Sequence, residues 1–125
     1  MTDRERIIRN YVDGYNQFDI NKMVSDFDED ITFTNIQNGT PNMSLIGLPA
    51  FIQQAELATT YFAYRTQKVN SFKHSDESTE IDIDYTAILG MDFPNGLKKG
   101  EELNLSGKSI FSFKNNKIIG LTDIS

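Results

Sequence analysis

Asn35 closes the run Ile31-Thr32-Phe33-Thr34-Asn35, in which a period of two sets it on the same face as Ile31 and Phe33. A carboxamide at the end of an apolar strand face can hold a ligand carbonyl or hydroxyl, or pair with a tyrosine. It cannot abstract a proton at neutral pH. Tyr11 and Tyr15 are four residues apart in a helical pattern, so their rings share one face. Their hydroxyls either reach a polar neighbour in the core or donate to a substrate oxygen. Asp123 is in step with Ile119 and Leu121 on the last strand pattern, and a carboxylate near the carboxyl terminus is expected to be solvated at the open end of a sheet. His74, beside Ser75-Asp76-Glu77, is expected on the surface, because a general base needs a pocket around it. Asp82 and Asp84 have the spacing of an acid or metal pair, yet both fall on the strand face opposite Ile83, which favours solvent or a subunit interface.

Composition narrows the functional classes. The chain has 125 residues, 38% hydrophobic and 11% aromatic, enough to bury the core of one domain over 1–125. There is no cysteine and one histidine, which excludes disulfides, thiolate catalysis, cysteine zinc sites and multi-histidine metal centres. No cofactor and no metal are expected. A net charge of -6, with Lys98-Lys99 too small a basic patch to matter, argues against nucleic acid as a partner. No apolar run approaches the roughly 20 residues that span a bilayer, and Met1-Thr2-Asp3-Arg4-Glu5-Arg6 leads into an amphipathic pattern, so no membrane association and a cytoplasmic location are expected.

The elements that must position these residues are visible as changes of period. Thr2-Asp3-Arg4-Glu5 is a capping-box pattern opening a helix from about Asp3 to Phe18, with Ile7, Ile8, Tyr11, Val12, Tyr15 and Phe18 on one face and Gly14 admitting a close neighbour. Asp19 or Asn21 caps a short second helix carrying Ile20, Met23, Val24 and Phe27 on one side, which Asp28-Glu29-Asp30 ends. A strand is predicted from Asp30 to about Ile36, then a polar loop from Gln37 to Gly47, long enough to be a lid. Pro49 suits the first turn of a third helix whose buried stripe is Phe51, Ile52, Ala55, Ala58, Thr59 and Phe62. From Tyr64 the period becomes two, predicting strands at about 64–75, 78–92, 101–114 and 117–124. Helices first and a meandering antiparallel sheet after them make an α+β domain, with the sheet curled around the helices and a conical hollow between.

This order resembles the SnoaL-like branch of the nuclear-transport-factor-2-like superfamily, which includes ketosteroid isomerase, limonene epoxide hydrolase and scytalone dehydratase. The residues that carry the resemblance are Tyr11, the junction Phe27-Asp28-Glu29-Asp30-Ile31-Thr32-Phe33, Gly47 before the third helix, and the ending Lys117-Ile118-Ile119. It implies a cystatin-like cone, an α+β barrel with one pocket, assembled as a dimer through the outer face of the sheet. The ketosteroid isomerases use a helix tyrosine and a protonated aspartate as an oxyanion hole and a second aspartate as base. Carried across, these fall on Tyr11, about Ser109 and Asn35, so only the tyrosine is kept and that isomerisation is not expected. The resemblance places pocket-lining residues on the last strand, which makes Asp123 the best candidate acid or base beside its solvated alternative.

The function expected from these residues is binding of a small, largely apolar carbonyl compound, with isomerase, cyclase or dehydratase chemistry open. Asp123 and Tyr11 would be the catalytic pair, with Asn35, Tyr15, Phe33, Ser109 and Leu121 holding the substrate. The alternative is a non-catalytic dimerisation or interaction module with a packed interior. An interior void distinguishes the two.

Overall fold

A computed structural model describes residues 2–125. Helix α1, Asp3–Asn16, starts where the sequence predicts, because the Thr2 side chain accepts a hydrogen bond from the Glu5 backbone N–H at 3.1 Å. Its face of Ile7, Ile8, Tyr11 and Val12 is buried. The helix stops short of Phe18, which turns into the left-handed region at φ 57. A ring at that φ is uncommon, and here the turn lays Phe18 on the Arg65 guanidinium. Asp19 caps α2, Ile20–Met23, by accepting from Lys22 N–H. Gly14 is what lets α2 approach α1: a Cβ there would lie 2.6 Å from the backbone nitrogen of Met23.

Two expectations are corrected in the next stretch. Strand β1 is Phe27–Gln37, so Phe27 belongs to a strand and not to the second helix. One turn of helix followed by a tight return satisfies the same apolar spacing, and Phe27 then pairs with Ile118 and packs between Tyr11 and Phe51. The segment read as a polar lid is strand β2, Thr40–Ile46, a hairpin partner of β1. Asn38 and Gly39 both take positive φ, 52 and 78, the backbone of a two-residue hairpin turn. The Asn-Gly pair was the available signal, with Met43 and Leu45 alternating against Ser44 and Ile46 after it.

Gly47, at φ 92, precedes α3, Leu48–Ala58, and donates its N–H to the Ile31 carbonyl at 2.7 Å, which ties the helix start to β1. Phe51 and Ala55 are the residues of α3 that reach the core. Strands β3, Phe62–His74, β4, Ser78–Leu89, β5, Glu102–Lys114, and β6, Lys117–Ile124, follow the predicted spans, with Phe62 opening β3 and β4 ending before its predicted limit. The sheet order is β2-β1-β6-β5-β4-β3. The expected meander is antiparallel except between β1 and β6, which run parallel, so the curved sheet is mixed. Ile8, Ile31, Phe111, Ile118 and Leu121 form the dry floor between helices and sheet. None of the helices is long and apolar enough to cross a membrane among the described residues.

Candidate functional site

The site begins as one row across the sheet. Ser109 on β5 is paired with Asp123 on β6, Asp123 with Asn35 on β1, and Asn35 with Met43 on β2. A bulge sets the phase of that row: Ser112 pairs with Gly120 and Phe113 with Ile118, leaving Ile119 as the extra residue. Ile118, Leu121 and Asp123 therefore share the inner face, which corrects the expectation that Ile119 is in step with them.

Asp123 is partly buried and accepts a 2.7 Å hydrogen bond from the Ser109 hydroxyl. Loss of water pushes its pKa up to about 6, against the Ser109 bond, which favours the ionised form. A carboxyl poised there exchanges protons near neutrality. Asn35 gives an N–H to the Asn42 Oδ1 at 2.8 Å, and Asn42 in turn donates to Gln37 Oε1 at 3.2 Å, a chain of amides along the β1–β2 hairpin.

Helix α1 closes the row from above. Tyr11, 4% exposed, is wedged between Phe27 and Phe111, with ring centroids at 5.6 and 5.5 Å. Burial, and secondly the charge of Asp123, hold its hydroxyl in the protonated form, well above the ordinary tyrosine range. The Tyr15 hydroxyl meets the Tyr85 hydroxyl at 2.9 Å, and burial raises both pKa values. Tyr85 was not among the expected site residues, although its place on the inner face of β4 was legible in the alternation.

A cavity of about 190 Å³ lies here, open on one side, and its walls include Tyr11, Tyr15, Phe33, Asn35, Arg65 and Asp123. Met43 and Leu45 from β2 and Phe51 from α3 supply its apolar side. A second cavity of about 180 Å³ adjoins it, sharing Tyr15, Asn35 and Asp123 and adding Gln67, Tyr85 and Ser109. Ser109 lines the second cavity and donates to Asp123, while Leu121 is buried in the core and lines neither cavity. Arg65 was missed altogether. A charged residue at the start of a strand is expected in water, and only the folded chain shows it covered by Tyr15 and Phe18.

The remaining candidates lie elsewhere. His74 bonds to Glu5 and Thr79 at the far end of α1. Asp82 is held by Ser71 and Lys108 on the outer face, and Asp84 accepts from Ser106 there. Among the described residues no group of three or more histidine, aspartate or glutamate side chains is placed to hold a metal ion.

No family model and no curated protein matches the sequence. Solved structures match it over nearly its whole length. A candidate polyketide cyclase from Xanthomonas campestris pv. campestris is 15% identical, with a TM-score of 0.83, over 99% of this chain and 93% of its own. A candidate SnoaL-like polyketide cyclase from Jannaschia is 10% identical, with a TM-score of 0.79, over 97% and 83%. An LEH-like epoxide hydrolase from M. tuberculosis is 10% identical, with a TM-score of 0.77, over 98% and 81%. At such identities the likeness is one of backbone, and what it establishes is that this chain has the nuclear-transport-factor-2-like, cystatin-type fold.

Proposed function

We propose that this chain binds a compact, largely apolar carbonyl compound in the α1–sheet cavity, with Asp123 acting as acid or base on it. The observation that carries the reading is the position of Asp123: its carboxyl lies between Ser109 and Asn35 in one row, in the wall of a cavity whose other sides are mostly aromatic and aliphatic. A titratable group near neutral pKa at the edge of an apolar hollow is the arrangement that proton transfer to and from carbon requires. Fold-level similarity adds a class of precedents and no specificity.

The chemistry follows from the groups present. Ionised Asp123 takes a proton from the carbon next to the carbonyl, and the electron pair moves to the carbonyl oxygen as an enolate. Tyr11, kept protonated by burial, donates to that oxygen. Asn35 and Tyr15 orient the substrate, Phe33 packs against its hydrocarbon body, and Ser109 keeps Asp123 aimed. Return of the proton from Asp123 to a different carbon is an isomerisation, attack of the enolate on a second carbonyl with that proton passed to the new alkoxide is a cyclisation, and loss of a β-hydroxyl as water with that proton is a dehydration. The volume selects small molecules: a cavity of about 150 Å³ accommodates benzene, so about 190 Å³ suits a single ring. No cofactor enters the scheme.

The test uses 2-cyclohexenone and cyclohexanone in D2O, with proton NMR following loss of the α-protons. The expected result is exchange above the buffer rate with the native protein, lost in Asp123→Asn, together with amide shifts at Asn35, Asp123 and Tyr15. Shifts confined to the outer sheet face, or exchange undiminished by Asp123→Asn, would overturn the assignment.

A further inference from the structure

Arg65 is the charged side chain most completely removed from water among the described residues, at 1% exposed. Its guanidinium is sandwiched between the rings of Tyr15, at 3.8 Å, and Phe18, at 4.5 Å. Its Nε donates to the Tyr15 carbonyl at 2.8 Å. Ring faces stabilise the plane of the cation but leave its in-plane N–H donors unserved. No carboxylate among the described residues forms an ion pair with it, and its Nη2 is buried without a hydrogen-bond partner. An orphaned donor on a buried cation is costly, and native structures usually supply such a group with a partner. Arg65 also lines the same cavity as Asn35 and Asp123.

A purely structural role accounts for the stacking and not for the empty donor. Two residues along the same face of β3, the Gln67 Oε1 is also buried without a partner and borders the adjoining cavity. The wall that β3 contributes is thus polar and unsaturated, opposite the apolar side made by Phe33, Met43, Leu45 and Phe51. We infer that the carbonyl compound of this cavity also carries a carboxylate, received by the Arg65 guanidinium, with its hydrocarbon body lying on the Phe33 and Phe51 side. The inference rests on the cavity being a ligand site, as proposed above, and adds the class of ligand. Arginine suits the task because its planar fork matches a carboxylate, and the rings of Tyr15 and Phe18 preorganise that fork.

The test compares benzoate with benzamide, two probes of the same shape that differ in charge, by titration with NMR detection of backbone amides and of the Arg65 Nε–H. A charge-assisted bond in place of a neutral one predicts that benzoate binds about 10- to 100-fold more tightly than benzamide. It should also shift the Arg65 Nε–H. Arg65→Met should bring the two affinities together, and Arg65→Lys should keep part of the preference. Should Arg65→Met fail to fold, the native ratio and the Nε–H shift decide by themselves. Equal affinities in the native protein would overturn the carboxylate while leaving a ligand cavity standing. Binding of neither probe would remove both. Variants that melt earlier yet retain the full benzoate preference would show that Arg65 is structural only.

Discussion

Asp123 should make the native state less stable as pH rises, and replacing it should reverse that. Its folded pKa of about 6 lies above the ordinary value of 3.8, so between those values the native chain holds a proton that the unfolded chain has lost. With more protons bound in the native state, the stability of folding falls as pH increases through this window and then levels off above about 6. Below about 3.8 both states are protonated and the effect vanishes. The shift is about 2 pKa units, which at 1.36 kcal/mol each is about 3 kcal/mol of destabilisation at pH 8. Asp123→Asn keeps the shape and an acceptor for the Ser109 hydroxyl and removes the charge. Urea unfolding of both proteins at pH 4, 6 and 8 should give nearly equal stability at pH 4. The variant should be more stable by about 1 to 3 kcal/mol at pH 8, the lower figure allowing for a weaker Ser109 bond. A variant less stable than the native protein at pH 8, or a difference that does not change with pH, would refute the placement of a desolvated carboxyl at this site.

Three other outcomes are expected. Gly14→Ala should lower stability by about 1 to 3 kcal/mol in urea unfolding, because the added Cβ meets the Met23 backbone nitrogen at 2.6 Å and backbone cannot rotate away. The native protein should not isomerise a 5-ene-3-ketosteroid, and Asn35→Asp should not create that activity, since Ser109 cannot supply the donor acid; product appearing in a spectrophotometric assay would contradict this. The outer face carries Ile110 and Ile88 among polar groups, with Ile46 82% exposed on the same side, so we propose a two-fold dimer packed sheet to sheet. Ile110→Lys should then shift sedimentation toward the monomer with circular dichroism unchanged, and a native protein that sediments as a monomer at micromolar concentration would remove the proposal.

Local periodicity carried far along this chain. Thr2 and the spacing of Ile7, Ile8, Tyr11 and Val12 sufficed for α1, because capping and amphipathicity are properties of neighbours in sequence. The strict alternation from Ile81 to Leu89 sufficed for β4 for the same reason. Strand β2 escaped because Pro41, Asn42 and Ser44 dilute its pattern, and pairing with β1 overrode weak propensity. Ile119 escaped because a bulge is decided by the partner strand, where two residues of β6 must face one of β5.

The candidate site divides along the same line. The inner-face phase of Asn35, the shared face of Tyr11 and Tyr15, and the absence of a base at position 35 follow from residue identity and a two- or four-residue repeat. That Ser109, Asp123 and Asn35 stand side by side depends on the β5-β6-β1 order, in which Asp123 meets Ser109 across a hairpin and Asn35 from the other end of the chain. Residue types and local spacing determined by themselves an α+β chain with a polar end to its apolar face. Tertiary structure alone decided that Asp123 is partly withdrawn from water, that Arg65 is buried with its Nη2 unpartnered and that both line one hollow, because burial, pairing and empty volume belong to segments distant in sequence.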